Sequence, residues 1–228
     1  MEIMTIIIIF ISTVAILILS YFIFKKLFKK KRIYYEQRYS KMINIYKKEN
    51  KLQKNQNVDI IFLGDSLIFR YNLKQFFPEY TTLNRGIGGD TTFGVEKRLN
   101  VSCFDIKSKL IVMLIGINNI DSMFKNYESI LIKFKEKANE RKIILCSLTP
   151  MGRKKSIKKN NLIISNNKII KNLAEKYNFI YIDLFTPLFN EEIYKIFPQY
   201  TWDGLHFTDE GYNVITNEIK KVLNKIFS

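Results

Sequence analysis

Short apolar runs alternate regularly with helical stretches between residues 58 and 226, and this pattern limits the possible folds. Five apolar runs are predicted strands, at residues 58–63, 80–83, 110–115, 142–147 and 179–183. Helical patterns occupy residues 67–76, 93–100, 126–139, 158–177 and 209–226. Nearly continuous apolar strands are typical of a parallel sheet buried on both faces. The order predicts a three-layer α/β fold around a five-stranded parallel sheet with right-handed crossovers.

A serine follows the first predicted strand, where a reactive side chain would be expected. Ligands of open α/β sheets bind at the carboxyl ends of the strands. Ser66 stands in the sequence Gly64-Asp65-Ser66, where the strand ends and a helix begins. The glycine permits a tight turn, and the helix N-terminus stabilises negative charge. The same pattern is also ordinary helix capping, so this motif alone does not establish a nucleophile.

The only histidine of the chain, His206, has an acidic residue three positions before it, across a glycine. This spacing lets one loop hold the Asp203 carboxylate against the Nδ1–H group of the imidazole. Nε2 then faces outward as an acceptor for a hydroxyl proton. Because a serine hydroxyl is a poor nucleophile without such a base, Ser66, His206 and Asp203 are the candidate catalytic residues.

Two further loops offer hydrogen-bond donors for an oxyanion, which an acyl-transfer site requires. Closely spaced glycines follow the second predicted strand and include Gly89, and Asn118 follows the third. A phosphate-binding loop is the alternative for a glycine-rich turn, but neither nucleotide-binding glycine motif is present. Asn118 by itself also fits an ordinary turn residue.

Taken together, these four loops resemble the sequence blocks of the SGNH (GDSL-type) hydrolases over roughly residues 57–226. Gly64-Asp65-Ser66 is similar to the nucleophile block, and Asp203-Gly204-Leu205-His206 is similar to the D-x-x-H block. The resemblance assigns the oxyanion donors to the Ser66 N–H, Gly89 and the Asn118 side chain. It also implies a flavodoxin-like order of layers, with no cofactor.

The same resemblance implies a serine esterase that cleaves acyl or acetyl esters through an acyl-enzyme. Lipids, thioesters and O-acetylated sugars are all substrates of such proteins, so the substrate stays open. The chain departs from the family at Asn119, where the family has an acid, which puts the support of that loop in question. The alternative is a catalytically degenerate fold that serves as a membrane-tethered binding module.

The N-terminal part of the chain predicts a membrane anchor and a basic linker ahead of the hydrolase domain at residues 57–228. Residues 3–24 carry no charge, and this run is long enough for one membrane span. The predicted anchor is residues 1–24. A cleaved signal peptide is disfavoured because no small-residue cleavage site follows. Residues 25–56 hold twelve Lys or Arg and two Glu, a net charge of +10. The positive-inside rule places the domain in the cytoplasm, with an extracytoplasmic domain as the alternative.

The remaining composition excludes several other classes of protein. The basic charge lies beside the apolar segment and no nucleic-acid motif is present, so we expect no nucleic-acid partner. Cys103 and Cys146 are isolated and predict buried free thiols. One histidine and two scattered cysteines also predict that the protein has no metal site. The oligomeric state is not determined by the sequence.

Overall fold

The predicted strands form one parallel sheet in the computed structural model, which describes residues 2–53, 57–153 and 156–227. The strands are β1 Val58–Gly64, β2 Thr82–Gly86, β3 Ser108–Leu114, β4 Lys142–Cys146 and β5 Ile180–Ile182. Their order in the sheet is β2-β1-β3-β4-β5, and every neighbouring pair is parallel. The structure thus confirms the α/β class and the five-stranded sheet.

Seven α-helices accompany the sheet in the described part of the chain. They are α1 Glu2–Leu52, α2 Ser66–Phe69, α3 Leu73–Phe76, α4 Thr92–Lys97, α5 Tyr127–Lys137, α6 Ser156–Tyr177 and α7 Asp209–Phe227. The single helix predicted at residues 67–76 is wrong, because the structure has α2 and α3 there. The Asn84 side chain donates hydrogen bonds to the carbonyls of Ile68 and Tyr71, at 2.6 and 3.1 Å. These two carbonyls therefore accept from a side chain.

An unpredicted antiparallel pair of short strands lies between β5 and α7. These strands are β6 Phe189–Asn190 and β7 Lys195–Ile196. Each has two residues, which is too short for an alternating pattern to be recognised in the sequence. The pair belongs to the long connection that leads to the loop containing His206.

Two separate hydrophobic cores lie on the two faces of the sheet, because successive side chains of a strand point in opposite directions. In β1, Ile61 and Leu63 pack into the core that also contains side chains of α4, α5 and α6. Ile60 and Phe62 pack into the other core, with side chains of α2, α3 and α7. Helices therefore cover both faces, which explains why the strands are almost continuously apolar.

The ends of the central strands bring the functional loops to one edge of the sheet. Gly64, the last residue of β1, pairs with Gly86 at the end of β2 and with Leu114 at the end of β3. A Cβ atom at Gly86 would lie 2.1 Å from the backbone nitrogen of Phe69 in α2, so only glycine fits there. The loops that follow all three strands consequently start side by side.

The chain divides into two compact units, residues 1–42 and residues 43–228, and the boundary lies within α1. The unit that contains the sheet thus begins at Ile43, upstream of the boundary predicted at residue 57. The membrane span predicted at residues 3–24 is not supported: no helix in the described ranges combines the length and the apolar character that crossing a bilayer requires. The predicted cytoplasmic location rested on that span.

Candidate active site

Ser66 is the first residue of α2 and directly follows the turn at the end of β1. Asp65 caps the helix, because its Oδ1 accepts a hydrogen bond of 3.0 Å from the backbone N–H of Leu67. Burial raises the pKa of Asp65 to about 7, against the opposing effect of that N–H group. Its Oδ2 is buried and has no hydrogen-bond partner among the described residues. The cap fixes the serine at the rim of the sheet, where 8% of its surface remains exposed.

The structure brings the three predicted catalytic residues into one hydrogen-bonded series. His206 Nε2 lies 3.1 Å from Ser66 Oγ, and His206 Nδ1 lies 2.8 Å from Asp203 Oδ2. An ionised carboxylate only accepts hydrogen bonds, so Nδ1 carries the proton in this pairing. Nε2 is then the acceptor for the Ser66 hydroxyl proton, as the sequence spacing predicts.

Asp203 is held by more partners than the imidazole alone. Its Oδ1 accepts hydrogen bonds from the backbone N–H groups of Leu205 and His206, at 3.0 and 2.8 Å. The Arg153 guanidinium forms an ion pair with Oδ2. Burial would raise the pKa of Asp203, but the backbone N–H and imidazole of His206, together with Arg153, outweigh it and lower the pKa to about 2. The carboxylate is therefore ionised at every pH at which the protein would work.

An exposed tryptophan covers one face of the candidate base. The Trp202 ring stacks on the His206 ring with centroids 5.3 Å apart and an angle of 16° between the planes. The Arg70 guanidinium lies over the same indole, 5.4 Å from its centroid. Since 59% of Trp202 is exposed, an aromatic surface lies beside the nucleophile. The sequence offers a signal for this position, because Trp202 is the only tryptophan of the chain and directly precedes the candidate acid.

The loops with the predicted oxyanion donors are joined by a hydrogen bond. The Asn118 side chain donates through Nδ2 to the carbonyl of Asp90, at 2.9 Å. Asp90 follows Gly89, whose φ of 80° lies in the left-handed region that favours glycine. Because an amide group has two N–H donors, this bond leaves the second donor of Asn118 for a substrate oxygen.

A buried arginine, which no sequence motif marks, connects the strand ends to this loop. Arg98 donates to the carbonyls of Gly64 and Arg85, both at 2.9 Å, and to Ser102 Oγ at 2.8 Å. It also forms an ion pair of 2.8 Å with Asp90, and both side chains are almost completely buried. Arg98 directly follows the end of α4, where an arginine is usually solvated, so its local sequence does not predict this contact.

Asn119, the departure from the family pattern, supports its loop through amide hydrogen bonds. Its Nδ2 donates to Thr92 Oγ1 at 2.8 Å, and its Oδ1 accepts from the Thr92 N–H at 3.3 Å. The Thr92 hydroxyl in turn lies 2.7 Å from Asn126 Oδ1. The amide of Asn119 both donates to and accepts from Thr92, so no carboxylate is needed to hold the loop against the start of α4.

The two cysteines lie outside this set of residues. Cys103 and Cys146 are free and buried, as predicted. Burial raises the pKa of both thiols to about 12, so neither is a thiolate near neutral pH. Within the residues that the structure describes, His, Cys, Asp and Glu side chains form no group that could hold a metal ion.

A serine, an imidazole and a carboxylate in hydrogen-bonded series, at the edge of an α/β sheet, form the arrangement by which serine hydrolases are recognised. Comparison with known proteins identifies the family. The family model of the GDSL-like lipases and acylhydrolases matches residues 62–214, and the chain belongs to this family.

Individual relatives agree with this assignment. The chain is 29% identical over 191 residues to the human platelet-activating factor acetylhydrolase IB subunit alpha2, covering 76% of this chain and 79% of that protein. It superposes with a TM-score of 0.69 on a GDSL-like lipase from Bacteroides thetaiotaomicron, at 26% identity and with 81% and 98% of the two chains covered. An acetylxylan esterase from Geobacillus stearothermophilus shares the fold, with a TM-score of 0.59 and 18% identity over 72% of this chain and 93% of that one.

Proposed function

We propose that the protein is a serine esterase that cleaves acyl or acetyl esters through an acyl-enzyme. The observation that carries the proposal is the series from Ser66 Oγ through the His206 ring to Asp203, with distances of 3.1 and 2.8 Å. These distances are within the range for direct proton transfer between nucleophile and base. The family of GDSL-like lipases and acylhydrolases, to which the chain belongs, supports the same reaction class.

In the proposed reaction, His206 takes the proton of Ser66 as the serine oxygen attacks the ester carbonyl. The backbone N–H groups of Ser66 and Gly89 and the Asn118 amide stabilise the oxyanion. The imidazolium then gives its proton to the leaving alcohol, and the acyl group remains on Ser66. Water, deprotonated by the same imidazole, releases the acid and restores the serine. Asp203 orients the ring and stabilises its positive charge.

The acyl group that we propose for the substrate is a short one, and this choice is based on a relative. The name of the human relative describes an acetylhydrolase, which favours an acetyl group here as well. Trp202 supplies an exposed aromatic face beside His206, against which a lipid chain or a sugar ring of the leaving alcohol could pack. Lipid, thioester and O-acetylated sugar substrates all remain within this proposal.

An ester panel tests the proposal on the purified full-length chain. We expect hydrolysis of p-nitrophenyl acetate to exceed that of the corresponding palmitoyl ester, and a fluorophosphonate probe to label Ser66. Mass spectrometry of the labelled peptide identifies the modified residue. If no ester is hydrolysed and no residue is labelled, the protein is a binding module with an inactive site, the alternative left open by the sequence.

The Asn118→Ala variant tests the proposed oxyanion donor. Loss of one oxyanion donor typically lowers kcat by about 10²–10³-fold, and we expect a decrease of that size. KM should change little, because the donor acts on charge that develops in the transition state. Steady-state kinetics with p-nitrophenyl acetate measure both constants. The control is Asn217→Ala, since Asn217 is exposed on α7; equal activity of the two variants would contradict the assignment.

A further inference from the structure

The last turns of α1 contact the end of strand β2 through three side chains. The Tyr46 hydroxyl donates a hydrogen bond of 2.6 Å to the carbonyl of Gly86. Glu49 forms an ion pair with Arg85, and Asn50 Oδ1 accepts from Arg85 Nη2 at 2.8 Å. All five residues belong to the compact unit that begins at Ile43. This end of α1 is thus a structural part of the hydrolase domain.

Arg85 depends on α1 for the compensation of its charge. Its side chain is completely buried, and its carboxylate partner is Glu49. The Tyr46 ring packs against the guanidinium, 4.5 Å from Cζ to the ring centroid. Burial raises the pKa of Tyr46 to about 12, so its hydroxyl keeps the proton that it donates to Gly86. The Glu49 side chain is itself 44% exposed, whereas the Arg85 charge is completely buried. A buried charge that loses its partner is destabilising, so removal of Glu49 should displace the end of β2.

The end of β2 leads directly to the proposed oxyanion donors. Arg85 and Gly86 are followed, within three residues, by Gly89. The Arg85 carbonyl accepts from Arg98, and Arg98 also holds Asp90, whose carbonyl orients Asn118. A shift of the backbone at Arg85 therefore moves the Gly89 N–H and the acceptor that fixes Asn118. Oxyanion donors lose much of their effect when they move by a fraction of an ångström from the developing charge.

We propose that Tyr46, Glu49 and Asn50 are positioning residues of the oxyanion hole, and that α1 contributes to catalysis through Arg85 and Gly86. This inference rests on the proposed esterase function. A role restricted to stability would lower the melting temperature and leave the transition-state affinity of the folded enzyme unchanged. A positioning role changes that affinity in the folded enzyme.

Variants of the full-length chain separate these two roles. Tyr46→Phe removes one hydrogen bond and keeps the ring against Arg85, and we expect kcat to fall about 5-fold, as for a lost neutral hydrogen bond. Glu49→Ala leaves Arg85 unpaired and should lower kcat by about 10²-fold, comparable with the loss of an oxyanion donor. Glu49→Gln keeps an acceptor for the guanidinium and should recover most of that loss. Lys48→Ala is the matched control, since Lys48 is exposed in the same turn of α1.

The decisive measurement is the inhibition constant of a trifluoromethyl ketone, which forms a tetrahedral oxyanion on the serine. For Tyr46→Phe and Glu49→Ala we expect this constant to rise by the same factor by which kcat/KM falls, with KM unchanged. Assays are made at least 15 °C below the melting temperature of each variant. Unchanged inhibition constants in Tyr46→Phe and Glu49→Ala, whatever happens to their melting temperatures, would overturn the inference. If the wild type hydrolyses esters normally in that case, the esterase function still stands. A wild type that neither hydrolyses esters nor labels at Ser66 overturns both.

Discussion

Ester hydrolysis should fall by about 10⁶-fold when Ser66 is replaced by alanine, the loss expected when the nucleophile of a Ser-His-Asp site is removed. The hydroxyl lies 3.1 Å from His206 Nε2, and no acyl-enzyme can form without it. The fluorophosphonate label should disappear together with the activity. Initial rates with p-nitrophenyl acetate and intact-protein mass spectrometry measure the two effects.

A second serine variant controls for unspecific effects of the substitution. Ser165→Ala changes an exposed serine of α6 and should leave both the rate and the label unchanged. Circular dichroism and thermal unfolding establish that both variants are folded. A purified Ser66→Ala protein that hydrolyses esters at the wild-type rate would refute the assignment of the nucleophile.

The Asp203→Asn variant should lose about 10⁴-fold in kcat, as for the equivalent substitution in other triads. The asparagine amide N–H would face Nδ1 of His206 and force the imidazole proton onto Nε2. Nε2 then donates to the Ser66 hydroxyl and can no longer take its proton. The Oδ1 of the new side chain can still accept from the backbone N–H groups of Leu205 and His206, so the loop should remain folded.

The Arg153→Gln variant removes the ion pair with Asp203 but keeps the Asp203 carboxylate against the imidazole. Comparing it with Asp203→Asn separates the effect of orienting the imidazole from the effect of the neighbouring charge. The Arg153 side chain is about 43% exposed, and partly exposed ion pairs contribute at most about 1 kcal/mol. We therefore expect this variant to lose less than 10-fold in kcat. Equal losses for Asp203→Asn and Arg153→Gln would show that Asp203 does not act through the tautomer of His206.

The lowered pKa of Asp203 also predicts how the stability difference between wild type and Asp203→Asn depends on pH. A carboxylate with a pKa of about 2 in the folded state stabilises the fold above its unfolded pKa, and that contribution is lost as the pH falls toward 2. The unfolding free energies of wild type and Asp203→Asn should thus differ most near neutral pH and converge at acid pH. Because Asp203 stays ionised above about pH 2, a loss of activity near pH 5 must come from a different group.

The local pattern of the sequence was sufficient for the sheet and for the position of the four loops. Continuous apolar runs predict buried parallel strands, and α/β topology then places the ends of neighbouring strands at one edge. Ser66 and His206, 140 residues apart, could be placed together by this reasoning, and the structure does place them in contact. Boundaries were less well predicted where side chains from distant segments compete with helical hydrogen bonds, as Asn84 does between α2 and α3.

Contacts between distant buried polar groups could not be predicted, because nothing in their local sequence distinguishes them from solvated residues. Arg98 and Arg85 occur in stretches where a basic residue usually faces water, yet the structure buries both and surrounds them with carbonyl and carboxylate oxygens. The stacking of Trp202 on His206 similarly depends on the shape of one loop.

Local periodicity and short motifs at strand ends were enough to predict the fold class and the candidate residues Ser66, His206 and Asp203. Two contacts appear only in the folded chain: the last turns of α1 pack on the strand that leads to the proposed oxyanion loop, and Arg98 joins two strand ends to Asp90. A buried charge pairs with the groups that the fold places next to it. These groups can be far away along the chain, so the local sequence does not predict them.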